Sequence, residues 1–306
     1  MSDTLDIPAS LSCAWTRERV YAYFELAKPR IGGMVLLVTA LGFYLAAPHG
    51  SVSLSVLLLF DTVLGTALTA SGANALNQYL EAAHDRKMVR TANRPLPSGR
   101  LTLDEVLAFG VLASGVGVIY LALFVNPLAA ALAATANLSY VLLYTPLKRI
   151  TPLCVFMGAF SGALPPAIGW AGAAGSISLG AVLLFGVLFF WQLPHFASIA
   201  WLYREDYAAA GYPMLSVIDP EGTRTCLHLL THTVALLLVS LLPMAYGLFG
   251  LLYACGAMAL GLGFFAFGGW FVIRRTRGAA RVHLLASLVY LPSLFALMAL
   301  DRAVLP

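Results

Sequence analysis

Nine stretches of the chain are each long and apolar enough to cross a lipid bilayer, and this restricts the fold before any single residue is considered. They cover about 31–47, 54–80, 104–124, 127–145, 152–172, 178–201, 225–248, 251–273 and 282–301. A spanning helix needs roughly 20 residues at about 1.5 Å each. Lipid offers no water to an open backbone, so only helices or a closed barrel can cross it. None of the nine stretches alternates with period two, so the expected fold is an all-α membrane protein of nine transmembrane helices. Composition agrees, with 60% hydrophobic and only 10% charged residues, against roughly a quarter charged in soluble domains.

Basic residues orient the bundle. Place the N-terminus in the cytoplasm and let the spans alternate. Arg17, Arg19, Lys28, Arg30, the basic residues from Arg86 to Arg100, Lys148, Arg149, Arg204, Arg224 and those from Arg274 to Arg281 then share the cytoplasmic side, and only Arg302 falls outside. The positive-inside rule selects this orientation over its reverse. The same loops account for the net charge of +4 and leave no call for nucleic acid. Residues 1–8 are acidic and read neither as a signal peptide nor as a transit peptide. The expected organisation is a cytoplasmic N-terminal tail, 1–22, followed by one polytopic membrane domain, 23–306. Spans 1–4 and 5–8 read as two halves of similar plan, with span 9 appended. Cys13, Cys154, Cys226 and Cys255 lack metal-ligand spacing and are expected to be free thiols.

The polar residues that carry chemistry lie where spans 2, 4 and 6 leave the membrane on the cytoplasmic side. Asn77, Glu81 and Asp85 are spaced by four, so a helix stacks them along one face, drifting about 40° per step. Arg86, Lys87, Arg90, Arg94 and Arg100 follow, and Pro95 stops the helix. Acids at a helix C-terminus oppose the dipole, and two carboxylates about 4 Å apart repel by on the order of 4 kcal/mol at an effective dielectric near 20. A hard cation such as Mg²⁺ removes that cost and binds carboxylate together with phosphate oxygens. Arginine forks suit phosphate. Metal plus diphosphate is therefore the functional reading; solvated end-of-helix charges and topology signals are the structural one. The loop after span 6 offers Tyr203, Glu205 and Asp206, with Asp206 expected as the third acid of a Glu81, Asp85, Asp206 metal site. Gln192 and His195 lie deeper in span 6, where polar groups mark function by default; a packing histidine is the alternative. Lys148, after Tyr144 and Pro146, sits at the same interface, as a phosphate ligand or a snorkelling lysine.

These motifs resemble the UbiA superfamily of intramembrane prenyltransferases, through Asn77-x-x-x-Glu81-x-x-x-Asp85, the Asp206 region and Tyr144-x-x-x-Lys148. Within it they are most similar to the heme-farnesylating branch, through Arg90-Thr91-x-x-Arg94-Pro95-Leu96-Pro97-Ser98-Gly99-Arg100, Pro165-Pro166-x-x-Gly169-Trp170, Trp191-Gln192-x-Pro194-His195-Phe196 and Tyr203-x-x-Asp206-Tyr207. The chain departs from the wider pattern at Glu81, where many members carry Asp, in the sparse acids around Asp206, and at Ser216, where Pro is expected. The resemblance implies helices around a central apolar chamber. It implies a catalytic set of Asn77, Glu81, Asp85 and Asp206, with Glu81, Asp85 and Asp206 on Mg²⁺. Arg90, Arg94, Tyr144, Lys148, Gln192, His195 and Tyr203 would bind substrate. The implied substrates are farnesyl diphosphate and heme B, and the implied product is heme O. The implied setting is the lipid bilayer of the bacterial cytoplasmic (inner) membrane, with heme A synthase and terminal-oxidase assembly factors as associated partners. A prenyltransferase for an aromatic quinone precursor and a secondary transporter are the rival readings. Acids gathered at one interface, and not at the midplane, argue against transport.

The expected topology is tested by a reporter fused to the C-terminus. It should read as extracytoplasmic, and a cytoplasmic reading would reject the helix count or the orientation.

Overall fold

The computed structural model describes residues 17–47 and 52–304. Cys13 and most of the expected N-terminal tail lie outside the described residues. Among those described there are helices and turns and no strand. The chain runs α1 (Arg17–Leu26), α2 (Pro29–Ala46), α3 (Val52–Asp85), α4 (Leu103–Phe124) and α5 (Pro127–Leu138). A π-helical turn, Ser139–Tyr144, and the short α6 (Thr145–Leu147) complete the fourth span. Then follow α7 (Cys154–Ala163), α8 (Pro165–Ala174), α9 (Leu179–Leu202), α10 (Arg204–Ala209), α11 (Leu215–Ile218), α12 (Thr223–Ala245), α13 (Leu251–Arg274) and α14 (Arg277–Val304). Nine helical segments among the described residues are long and apolar enough to span a membrane, in register with the nine stretches read from the sequence.

The spans form a closed ring in chain order. Each of α2, α3, α4, α5, the π turn, α7, α9, α12, α13 and α14 packs on the next, and α14 returns to α2. Span 9 is thus the closing stave between α13 and α2, with Tyr290, Leu291, Leu294 and Phe295 in the same core cluster as Val38 and Leu45. The reading of it as an appendage is corrected. The 22/23 boundary also falls inside a helix: α1 buries Ala22 and Leu26 against Leu96, Leu101 and Val106.

The fifth span is broken. Pro165 and Pro166 follow Leu164, and two successive prolines cannot continue the α7 hydrogen-bond ladder. The chain restarts as α8, which lies inside the ring against α2, α3, α5 and α9. Glycine makes that possible. A Cβ at Gly42 would be driven into the Pro166 carbonyl, and one at Gly169 into the Thr39 carbonyl. Two backbones therefore meet in van der Waals contact, as small residues allow in membrane bundles.

Local signals set the remaining ends. Thr102 and Glu105 form a capping box at α4. Asn126 caps α5 ahead of Pro127. The π turn precedes Pro146, which has no N–H to give to the preceding turn, and the ladder widens so that the Thr145 N–H reaches the Tyr140 carbonyl.

The close α2–α8 contact generates a stability test. Gly42→Ala and Gly169→Ala should each lower stability by about 1–3 kcal/mol, the usual cost of overpacking. Gly115→Ala, in α4 with open space around it, should raise it by roughly 0.5–1 kcal/mol. Thermal unfolding in one detergent measures all three.

Candidate active site

The ring encloses a chamber of about 470 Å³, within the range of small-molecule sites. Its wall is largely apolar, with Met34, Val38, Ile168, Leu188, Trp191 and Leu288, and its mouth is charged, with Lys28, Glu81, Arg90, Arg94 and Lys148. This polarity follows from the sequence: apolar spans build the wall, and the ends of α3, α6 and α9 carry the polar residues.

Helix α3 continues without a break to Asp85, so Asn77, Glu81 and Asp85 do lie on one helix as their spacing predicts. Glu81 is 2% exposed and Lys148 6% exposed. Lys148 Nζ donates to both Glu81 oxygens, at 3.0 and 3.1 Å. The same ammonium lies 4.5 Å from the centre of the Tyr212 ring and 5.8 Å from that of Tyr207. Arg94 donates to Asp85 Oδ2 at 2.7 Å. Asp85 is fully buried, off the chamber wall behind Arg94, and its Oδ1 has no partner. The Thr91 hydroxyl donates to the Asp85 carbonyl at 2.8 Å and ties the loop to the helix end.

Asn77 bridges two other elements. Its Oδ1 accepts from Lys28 Nζ at 3.0 Å, and its amide donates to Thr145 Oγ1 at 3.1 Å. Lys28 has φ 53°, a left-handed conformation uncommon for lysine, at the turn from α1 into α2. The strain is held by two side-chain amides of α3: Asn74 donates to the Ala27 carbonyl at 3.0 Å, and Gln78 to the Leu26 carbonyl at 2.8 Å. Burial, with Arg94 adding its repulsion, pulls the Lys28 pKa down to about 7.

Arg90 donates to the Tyr207 hydroxyl at 3.2 Å and lies over the Tyr203 ring at 4.6 Å. Asp206 is on the first turn of α10 and acts electrostatically on Arg90. The expected three-carboxylate site is not assembled in this structure: among the described residues no three of His, Cys, Asp and Glu come together. The physical reason is that Lys148 and Arg94 already neutralise Glu81 and Asp85, while Asp206 stands on a separate short helix off the chamber wall. The donor set that remains, two carboxylates one helical turn apart with a buried orphan oxygen, still fits a hard cation that takes its other ligands from phosphate and water.

Deeper in the chamber, Gln192 donates to the carbonyls of Ala159 and Leu188, each at 3.1 Å, and its oxygen packs on Gly162. It joins α9 to α7 as well as lining the cavity. His195 also lines the cavity; its ring stacks on Trp191, 4.8 Å between centres, and its Nδ1 lies 2.7 Å from Ser287 Oγ. Tyr144 stacks on Tyr140, 5.2 Å between centres. The structure thus gathers Asn77, Glu81, Arg90, Arg94, Tyr144, Lys148, Gln192 and His195 around one cavity. It leaves Asp85, Tyr203 and Asp206 behind or beside that rim. Sequence reasoning missed Asn74, Tyr140, Tyr207 and Tyr212 as site residues and took Lys28 for a topology signal alone. Two signals were present: Tyr140 is four residues before Tyr144, and Lys28 directly precedes the helix-starting Pro29.

Comparison with known proteins gives consistent matches. A profile of the UbiA prenyltransferase family matches residues 35–291. A protoheme IX farnesyltransferase of Solibacter usitatus is 46% identical over 286 residues, 92% of this chain and 98% of the relative. One of Myxococcus xanthus is 42% identical, over 91% of this chain and 93% of the relative. Among solved structures, a digeranylgeranylglyceryl phosphate synthase superposes with a TM-score of 0.78 at 18% identity, over 94% of this chain and all of the other. A UbiA homolog from Archaeoglobus fulgidus bound to GPP and Mg²⁺ gives 0.68 at 16% identity, over 91% and 99%. The last two establish the likeness of fold.

The buried pair at the mouth sets its own prediction. Glu81→Ala strands a buried ammonium and should cost about 3–5 kcal/mol, whereas Glu81→Leu combined with Lys148→Met should recover most of that loss. Unfolding of both variants in one detergent, at one pH, measures the difference.

Proposed function

We propose a reaction for this chain from the fact that it belongs to the UbiA prenyltransferase family. It transfers the farnesyl group of farnesyl diphosphate to a vinyl group of heme B, with addition of water, giving heme O and diphosphate. The observation that carries the reading is the pairing of one charged mouth with one apolar chamber. Lys28, Arg90, Arg94 and Lys148 surround Glu81 above a wall holding Trp191 and His195. The protoheme IX farnesyltransferases to which the chain is similar along nearly all its length support the choice of acceptor.

The residues divide the work. Arg90, Arg94 and Lys148 bind the oxygens of the diphosphate, Lys148 exchanging Glu81 for phosphate as it does so. Lys28 adds a fourth donor, and its pKa near 7 is raised again by a neighbouring anion. Mg²⁺ would be held by Glu81 and Asp85 together with the diphosphate, and would supply neutralisation of the leaving group. Asp206 steadies Arg90 from the rim. As the C1–O bond of the farnesyl group breaks, positive charge develops on the allyl unit beside the stacked Tyr140 and Tyr144, whose ring faces favour a cation. Apolar side chains keep water from that carbon until the vinyl group attacks it. The attack forms the new C–C bond and moves the charge to the carbon next to the porphyrin. Water adds there and releases a proton. His195 meets the porphyrin. The charged mouth is on the cytoplasmic side of the bacterial inner membrane.

Purified protein incubated with farnesyl diphosphate, Mg²⁺ and heme B should convert the porphyrin to a species heavier by one farnesyl group and one hydroxyl, read by mass spectrometry. Asp85→Ala should lose at least a factor of ten in turnover, about 1.4 kcal/mol of barrier, while still inserting in the membrane. Arg94→Ala should raise the KM for farnesyl diphosphate and leave the spectrum of bound heme unchanged. His195→Ala should do the reverse. An unmodified porphyrin under all conditions rejects the reaction.

A further inference from the structure

Ser287, in α14, is the buried partner of His195, and its own hydrogen bonds are fixed from three directions. Its hydroxyl donates to the Leu284 carbonyl at 2.6 Å. Its carbonyl accepts from the Trp191 indole N–H at 2.9 Å. Its Oγ lies 2.7 Å from His195 Nδ1. A serine hydroxyl has one hydrogen. Were it given to His195, Oγ and the Leu284 carbonyl would face each other at 2.6 Å as two lone-pair oxygens. Giving it to Leu284 leaves an oxygen lone pair toward His195, and only a protonated Nδ1 can use that. Among the described residues the one hydrogen bond of the His195 side chain is that of Nδ1, and the ring lines the chamber.

We infer that Ser287 is a positioning residue: it fixes His195 as the Nδ1–H tautomer and so presents the Nε2 lone pair to the chamber. The inference rests on the proposed reaction for what the lone pair meets, which is the iron of heme B. A metal-bound histidine gains by donating its other N–H to a fixed acceptor, because that sets the ring orientation and raises the basicity of the ligating nitrogen. The stacked Trp191 ring, tethered to the same serine, limits rotation of the imidazole. The two helices repeat the arrangement one turn away. His283 Nδ1 lies 2.7 Å from Ser198 Oγ, whose hydroxyl also lies 3.2 Å from the Pro194 carbonyl. His283, however, is fully buried and stacked on Phe264, off the chamber, so it serves packing.

The test begins with ligand-free protein labelled with ¹⁵N-histidine. The His195 signals are assigned by their loss in His195→Gln. Nitrogen shifts should show a protonated Nδ1 and a bare Nε2 at neutral pH; a protonated Nε2 overturns the inference without any further variant. Ser287→Ala should yield a mixture of tautomers, and Ser287→Thr, which keeps the hydroxyl, should restore one. With heme B added, Ser287→Ala should weaken binding by about tenfold, as loss of a partner behind a metal ligand commonly does, and shift the absorption spectrum. Its KM for farnesyl diphosphate should not change. An unaltered tautomer and spectrum in Ser287→Ala overturns the positioning role. If His195→Gln binds heme with an unaltered spectrum, the assignment of the lone pair to iron is overturned, whatever tautomer Ser287 fixes.

Discussion

The arrangement of the chamber mouth depends on one buried ion pair, Lys148 with Glu81. Two charges removed from water cost several kcal/mol each unless they meet with good geometry. Here a single ammonium reaches both carboxylate oxygens and rests on the face of Tyr212. The pair fastens the C-terminal end of α3 to the residue after α6, and so fixes the distance between the spans that supply Asn77 and Tyr144. It also explains how an unliganded site tolerates so many cations: each strong anion at the mouth already has a cation of its own, Arg94 on Asp85 and Lys148 on Glu81. In the proposed reaction an incoming diphosphate would meet donors already held in place, and the reorganisation it demands would be a change of partner, not a gathering of distant side chains.

The spans were legible because the bilayer imposes one length and one solvation rule on each of them. The nine stretches read from the sequence and the nine spans among the described residues differ only at their ends. Those ends hold most of what was not legible. Nothing in the hydropathy of the second stretch says that α3 runs on to Asp85; the helical spacing of Asn77, Glu81 and Asp85 does. The broken fifth span was signalled by Pro165-Pro166, but its turn into the ring depends on Gly42 and Gly169 meeting carbonyls from distant helices, a matter of tertiary fit. Asp206 illustrates the same limit in the site. Its sequence position places it at the right interface, yet α9 ends at Leu202 and the carboxylate belongs to a separate helix. Lys28 was hidden for the opposite reason. A lysine at the start of a span is the ordinary mark of topology, and only the contact with Asn77 reveals another use.

Fold and electrostatics also explain each other. Apolar staves in ring order leave an interior that cannot hold charge, so charge collects where helices end. The π turn at Ser139–Tyr144 shows how finely that edge is set. Pro146 disrupts the ladder, and the widened turn presents Tyr140 and Tyr144 together to the cavity just below Lys148.

The position of α8 has a consequence for the membrane itself. A protein with a charged mouth and a hollow centre is a hazard in a bilayer, which must stay closed to ions. Helix α8 crosses the interior beyond Pro165, pressed backbone to backbone on α2, with most of its residues buried. The hollow is therefore a blind well and not a pore. The insulating thickness that remains is protein packed at the density of a solid core, and a cell can keep the well open to one compartment without discharging the other.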